Sequence, residues 1–205
     1  MDIHSIINTV SNVGSNSISV FGGNYEGGYQ LQQDPVEISQ FILDLLNTKI
    51  ENYLEIGVAA GGTTRLLCDF LQIHNVYLID LGEHPSIVAA YDNNIANLKN
   101  SGELHTFKGD SHSKEADQWL NKCNVKFDLV FIDGDHSYNG VLKDTMLAKK
   151  YAKKDTLFVY HDHACVYDVG QVIANLQKTK DFTLFKTYVN DGPTKKGVSL
   201  FIYKG

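Results

Sequence analysis

Five apolar, strand-like runs alternate with helix-like segments along most of this chain, and that alternation constrains the fold more than any other feature. The runs are Tyr53–Gly57, Val76–Asp80, Leu104–Lys108, Phe127–Asp133 and Thr156–His161. Helix-like stretches lie at Thr63–Ile73, Ser86–Lys99, Ser113–Asn121, Tyr138–Tyr151 and Tyr167–Gln177. Repeated strand–helix units predict a parallel sheet with helices on both faces. Two more strand-like runs, Thr183–Val189 and Val198–Tyr203, flank the turn-forming Asn190-Asp-Gly-Pro193 and predict an antiparallel hairpin. The expected architecture is α/β, with a seven-stranded, mainly parallel sheet.

The stretch before the first unit differs. Residues 1–33 are polar, and Phe21–Tyr29 holds four glycines in nine residues. This reads as a mobile N-terminal arm over 1–33, preceding a domain over 34–205. Such an arm suits a lid, with Tyr25 and Tyr29 stacking on a ligand ring. It suits equally a frayed terminus or a contact in a homo-oligomer. Asp34-Pro35-Val36-Glu37 then carries the marks of a helix start: a capping carboxylate, a first-turn proline and a capping-box glutamate.

Charge and composition remove several function classes. A net charge of −6 leaves no broad face for phosphates, so nucleic acid is not an expected partner. No apolar run is long enough to span a bilayer, and Met1–Ser19 lacks the basic start and apolar stretch of a signal peptide. A soluble, cytoplasmic protein with no membrane insertion is expected. Cys68, Cys123 and Cys165 lie far apart without a CxxC and read as small core residues.

In doubly wound sheets, ligands bind beyond the carboxyl ends of the strands. Here the first strand ends Glu55-Ile-Gly57-Val-Ala59-Ala-Gly61-Gly62, a turn whose glycines allow tight bends and close approach. Its glycine spacing is not the G-x-G-x-x-G of dinucleotide binders. The second strand ends at Asp80, placed to accept ribose hydroxyls, and the third at Asp110-Ser111. The E-x-G-x-x-x-G turn is similar to the first motif of methyltransferases that use S-adenosylmethionine (SAM). That resemblance implies a Rossmann-like class I methyltransferase fold. It implies SAM bound by Glu55, Gly57, Ala59, Gly61, Asp80, Asp110 and Ser111, with Asp110 on the adenine amino group.

The fourth and fifth strands are apolar until their carboxyl ends, where they present Asp133-Gly-Asp-His136 and His161-Asp162-His163. Carboxylates with an imidazole suit a hard divalent ion such as Mg²⁺ or Mn²⁺. The run F-I-D-G-D-H-S-Y-x-G-V, followed by a strand ending H-D, resembles small metal-dependent sugar O-methyltransferases and cephalosporin-hydroxylase-like proteins. The resemblance covers roughly residues 50–165. It implies Asp133 and Asp162 as metal ligands, with Asp133 also in the catalytic set, and His136 as general base. His161 stands where that family has Glu, a departure from the pattern; its place at the end of the fifth strand, beside Asp133 and Asp162, makes it an expected third ligand. A narrower similarity, to the methyltransferase domain of chlorovirus glycan-building proteins, implies a rhamnose-containing glycan as acceptor.

Rival readings stay open at this point. Catechol- and caffeoyl-CoA-type O-methyltransferases use the same two strand ends, with Lys at the place of His136 and Asn at that of His163. A short-chain NAD oxidoreductase is disfavoured by the glycine spacing and by the lack of a Tyr-x-x-x-Lys pair. A non-catalytic domain that keeps the fold for binding is disfavoured by the survival of Asp133, His136 and Asp162.

Overall fold

A computed structural model of the chain describes residues 2–14, 33–83, 95, 98–192 and 195–205. The sheet has seven strands: β1 (Lys49–Ile56), β2 (Gln72–Asp80), β3 (Leu104–Lys108), β4 (Phe127–Ile132), β5 (Ala152–Tyr160), β6 (Phe182–Tyr188) and β7 (Val198–Tyr203). Their order is β3-β2-β1-β4-β5-β7-β6. Strands β1 to β5 pair in parallel, while β7 runs antiparallel to both β5 and β6. The expected mainly parallel sheet with an antiparallel C-terminal pair is present.

Strand composition explains the order. The carboxyl half of β1 and most of β4 are buried without a break, as suits strands covered on both faces. β3 alternates along its length and β6 exposes most of its middle, including Lys186, so these polar strands take the edges. The more apolar β7 is therefore drawn between β5 and β6.

Six helices lie among the described residues: α1 (Ile3–Gly14), α2 (Pro35–Leu45), α3 (Gly62–Phe70), α4 (Lys114–Cys123), α5 (Tyr138–Lys150) and α6 (Tyr167–Leu176). Strand alternation divides the core in two. Tyr53, Leu129 and Phe131 pack with α1, α2 and α3; Leu54, Val130 and Ile132 pack with α4, α5 and α6. Each large side chain buried this way contributes roughly 1.5–3 kcal/mol. Asp34 caps α2 as its sequence suggests, accepting from the N–H groups of Val36 at 2.9 Å and Glu37 at 3.2 Å.

The N-terminal arm needs correction. It begins as a helix, because Ile3, Ile6, Ile7 and Val10 recur at helical spacing, and Ile6 and Val10 are fully buried. The glycine-rich segment with Tyr25 and Tyr29 lies outside the described residues, as does most of the expected helix Ser86–Lys99. Among the described residues no helix is long and apolar enough to cross a membrane. All three cysteines are free.

Candidate active site

All five parallel strands end on one side of the sheet, and the polar side chains of interest gather there. At the end of β1 the chain must pass the end of β4 at very short range. Gly57, with φ +87°, makes this passage: a Cβ there would sit 2.2 Å from the carbonyl oxygen of Asp133. Its N–H donates to the Ile79 carbonyl at 2.9 Å, and the Asp133 N–H donates to the Ile56 carbonyl at 2.9 Å. The loop continues through Ala59 and Gly61, both with positive φ, into α3.

Asp80 organises that loop. Its Oδ2 accepts from the N–H groups of Val58 at 2.7 Å and Ala59 at 2.9 Å, and its Oδ1 from that of Gly82 at 2.6 Å. Glu55 supports it from beneath. Only 1% exposed, its carboxylate accepts from Tyr53 Oη at 2.8 Å and from the Thr64 hydroxyl in the first turn of α3. Burial pushes the Glu55 carboxyl up to about 8. Glu55 is buried beneath the loop and shapes it from inside, whereas Gly57 is half-buried, pressed on one side against the end of β4 and exposed on the other.

On the β3 side, Asp110 is exposed and accepts from the His112 N–H at 2.8 Å. Ser111, half-buried, donates to Oδ1 of Asp144 at 2.6 Å. Asp144 is fully buried on α5, and burial raises its carboxyl to about 6. His112 Nε2 approaches the same oxygen at 3.1 Å, at an angle too poor for a hydrogen bond. Ala59, Asp80 and Asp110 keep surface open on this half.

On the other half, side chains face one another. The imidazole Nε2 of His136 lies 3.2 Å from Asp133 Oδ1 and 3.6 Å from Asp162 Oδ2. One potential ligand atom from each of Asp133, His136 and Asp162 falls within 4.8 Å of the others. Asp162 adopts φ +62°, a costly conformation for a non-glycine residue. Its carbonyl takes the N–H groups of Cys165 at 3.2 Å and Val166 at 2.9 Å, which turns the chain into α6. His136 precedes α5, whose N-cap Ser137 accepts from the Gly140 N–H at 3.1 Å.

His161 is not part of that ligand group, contrary to expectation. It is 3% exposed, and its Nδ1 sits behind the carboxylates, 3.1 Å from Asp133 Oδ1 and 3.3 Å from Asp162 Oδ1. The pleat turns this strand-end residue inward, where it serves as a counter-charge. Burial opposes its charge, but the two carboxylates prevail and hold the imidazole well above its usual range. Burial likewise pushes Asp133 and Asp162 up, yet the charge and hydrogen bonds of His161 bring both below the usual carboxylate value. The hydrogen bond to Asp133 raises His136, against the effect of burial. His163 is a strut: its Nδ1 lies 3.0 Å from Ser199 Oγ, and its ring packs against Gly197.

One member of the cluster has no local sequence signature. Gln33, immediately before the α2 cap, donates from Nε2 to Asp133 Oδ2 at 3.1 Å across one hundred positions of chain. Asp144 reads in sequence as a polar position on a helix and is equally silent. Cavity size is a poor guide here. Clefts of 560 Å³ and 320 Å³ open near Lys49, one beside His74 and the other beside Asp128 and Asp155. Lys49 begins β1, so both lie at the opposite end of the sheet from Asp133.

Residues 54–163 match the family described as a methyltransferase domain, more than half of the chain and every strand end just described. The chain belongs to the class I SAM-dependent methyltransferases. A curated relative, an uncharacterized protein of Acanthamoeba polyphaga mimivirus, is 28% identical over 141 residues, and the match spans 62% of that relative's length. Solved methyltransferase structures share the fold. The O-methyltransferase from Bacillus cereus in complex with S-adenosylhomocysteine (SAH) aligns with TM-score 0.66 at 19% identity, covering 98% of this chain and 91% of that one. TomG from Streptomyces achromogenes, an O-methyltransferase of tomaymycin synthesis in complex with SAM, gives 0.67 at 15%, covering 98% and 90%. The N-methyltransferase NodS from Bradyrhizobium japonicum WM9 gives 0.58 at 17%, covering 85% and 100%. O- and N-methyltransferases thus share this fold, and the acceptor must be argued from the site.

Proposed function

We propose that this methyltransferase methylates a hydroxyl oxygen of a sugar, assisted by a divalent cation and with His136 as general base. The observation that carries the reading is the convergence of Asp133, His136 and Asp162 at two adjacent strand ends. This cluster touches the cofactor loop through Gly57. SAM supplies the methyl group as an electrophilic sulfonium. The loop at Val58–Gly61 and the open carboxylates of Asp80 and Asp110 hold it.

The donor set fits a hard divalent ion: two carboxylates ionised by their surroundings and one imidazole. Asp133 and Asp162 would hold the ion, which supplies a lowered pKa at an acceptor hydroxyl. His136 is the most exposed of the three, with a 41% exposed side chain; its Nε2–H donates to Asp133, and the neutral ring takes the hydroxyl proton at its other nitrogen. His161 stays behind as a fixed positive partner that keeps both carboxylates ionised. Sugar is favoured over catechol by His136 itself, which stands where the catechol-type sequences carry Lys. At its finest the reading is a rhamnose-containing glycan.

The test is transfer of labelled methyl from SAM to methyl rhamnoside and to catechol. Transfer to the rhamnoside should stop in EDTA and return with Mg²⁺ or Mn²⁺. Full-rate transfer in EDTA removes the cation, and a preference for catechol replaces the sugar.

A further inference from the structure

We infer that Gln33 is an acceptor-binding residue of this site: its amide NH₂ fixes Asp133, and its carbonyl oxygen accepts a hydrogen bond from the acceptor beside the reacting hydroxyl. Gln33 is 5% exposed, and its Nε2 donates to Asp133 Oδ2 at 3.1 Å. Its Oε1 is buried and has no hydrogen-bond partner among the described residues. A buried carbonyl without a donor is costly, and such groups in native proteins call for an explanation. Turning the amide over offers no relief, because Oε1 would then face the Asp133 carboxylate, lone pair against lone pair. The unfilled acceptor therefore lies one amide's width from the carboxylate at which the acceptor hydroxyl is proposed to sit.

The residue is held as a preorganised group would be. Asp34, next in the chain, caps α2 and accepts from Asn190 Nδ2 at 3.2 Å. Glu37, one turn on and fully buried, accepts from the N–H groups of Asn190 and Gly197, each at 2.7 Å. Gly197 in turn packs against His163, the neighbour of Asp162. A closed ring of contacts thus joins Gln33, the ends of β4 and β5, the β6–β7 connection and α2. An amide fixed this rigidly suits the recognition of a donor group in a defined place.

This inference rests on the proposed function, and a substrate–residue cycle separates the two. Wild-type protein and Gln33→Met are compared on methyl rhamnoside and on its counterparts lacking one hydroxyl beside the methylated one. In the wild type, loss of the recognised hydroxyl should lower kcat/KM about 10- to 100-fold. Gln33→Met should lose a similar factor on the intact rhamnoside, with little further loss on the deoxy sugar, while SAH affinity stays within about twofold. Gln33→Asn, too short to span the gap, should behave alike and serves if the Met variant does not bind SAH. Undiminished discrimination in both variants overturns the role of Gln33. If no rhamnoside is methylated, the sugar reading falls, and the same cycle is run on catechol against phenol. There, too, an unchanged preference, or no turnover at all, overturns the role.

Discussion

The two halves of the site use polar residues in opposite ways. In the cofactor half, at the ends of β1 and β2, much of the polar capacity is spent on the protein itself. Asp80 gathers three backbone N–H groups, and Glu55 is sealed under the loop by Tyr53 and Thr64. In the catalytic half, at the ends of β4 and β5, Asp133, His136 and Asp162 turn their charged atoms toward one another around a small space. The first half shapes backbone to receive a ligand; the second offers side chains to do chemistry. Gly57 is where they meet, since its missing side chain lets the loop lie on the Asp133 backbone.

The comparison makes a sharp division of effects, largest first. His136→Ala should cut turnover by about 10²–10⁴-fold and leave SAH affinity nearly unchanged. In the protein without a bound cation, the hydrogen bond to Asp133 places the His136 ionisation above that of an ordinary imidazole. A bound divalent ion pulls it lower. NMR titration with and without Mg²⁺ reads both. The neutral imidazole is the base, so wild-type turnover rises with pH through this ionisation, and the variant should be flat there. A large loss of SAH affinity in His136→Ala would erase the division between the halves.

Asp80→Ala is the converse. Removing the carboxylate leaves the Val58 and Ala59 N–H groups without their partner, and SAH binding should weaken by roughly 1.5–3 kcal/mol by calorimetry. Turnover at saturating SAM should stay close to wild type. A fall in that saturated rate as large as the fall in affinity would mean that the cofactor half also aligns the reaction.

The smallest effect belongs to Glu55. Its native carboxyl is raised from 4.5 to about 8, so between those values the folded protein holds a proton that the unfolded chain has released. Its contribution to stability therefore declines as pH rises through that window. Glu55→Gln keeps an acceptor for Tyr53 and Thr64 without the charge. In urea unfolding it should gain progressively on wild type as pH rises from 5 to 8. SAH affinity should hardly change. A loss of stability that grows with pH would show that Glu55 is ionised in the fold.

Sequence alone determined the strand–helix alternation, the closing antiparallel pair, the α2 cap and the two acidic strand ends. Each is written in local periodicity or in consecutive residues: strand period, helix stripe, Asp34 before Pro35, Asp133 three before His136. The amphipathic stripe of α1 was equally local, but the polar and glycine-rich character of the whole arm masked it. What sequence could not determine was where each polar atom is used. Glu55 carries the right letter for cofactor contact, yet burial turns it inward beneath the loop. His161 and His136 look alike in a string; the pleat of β5 buries one, and the turn before α5 presents the other. Gln33 reaches Asp133 only because a helix far away in the chain packs its capped end against β4. Burial, register and long-range approach depend on the whole fold, so only the tertiary structure assigns those roles.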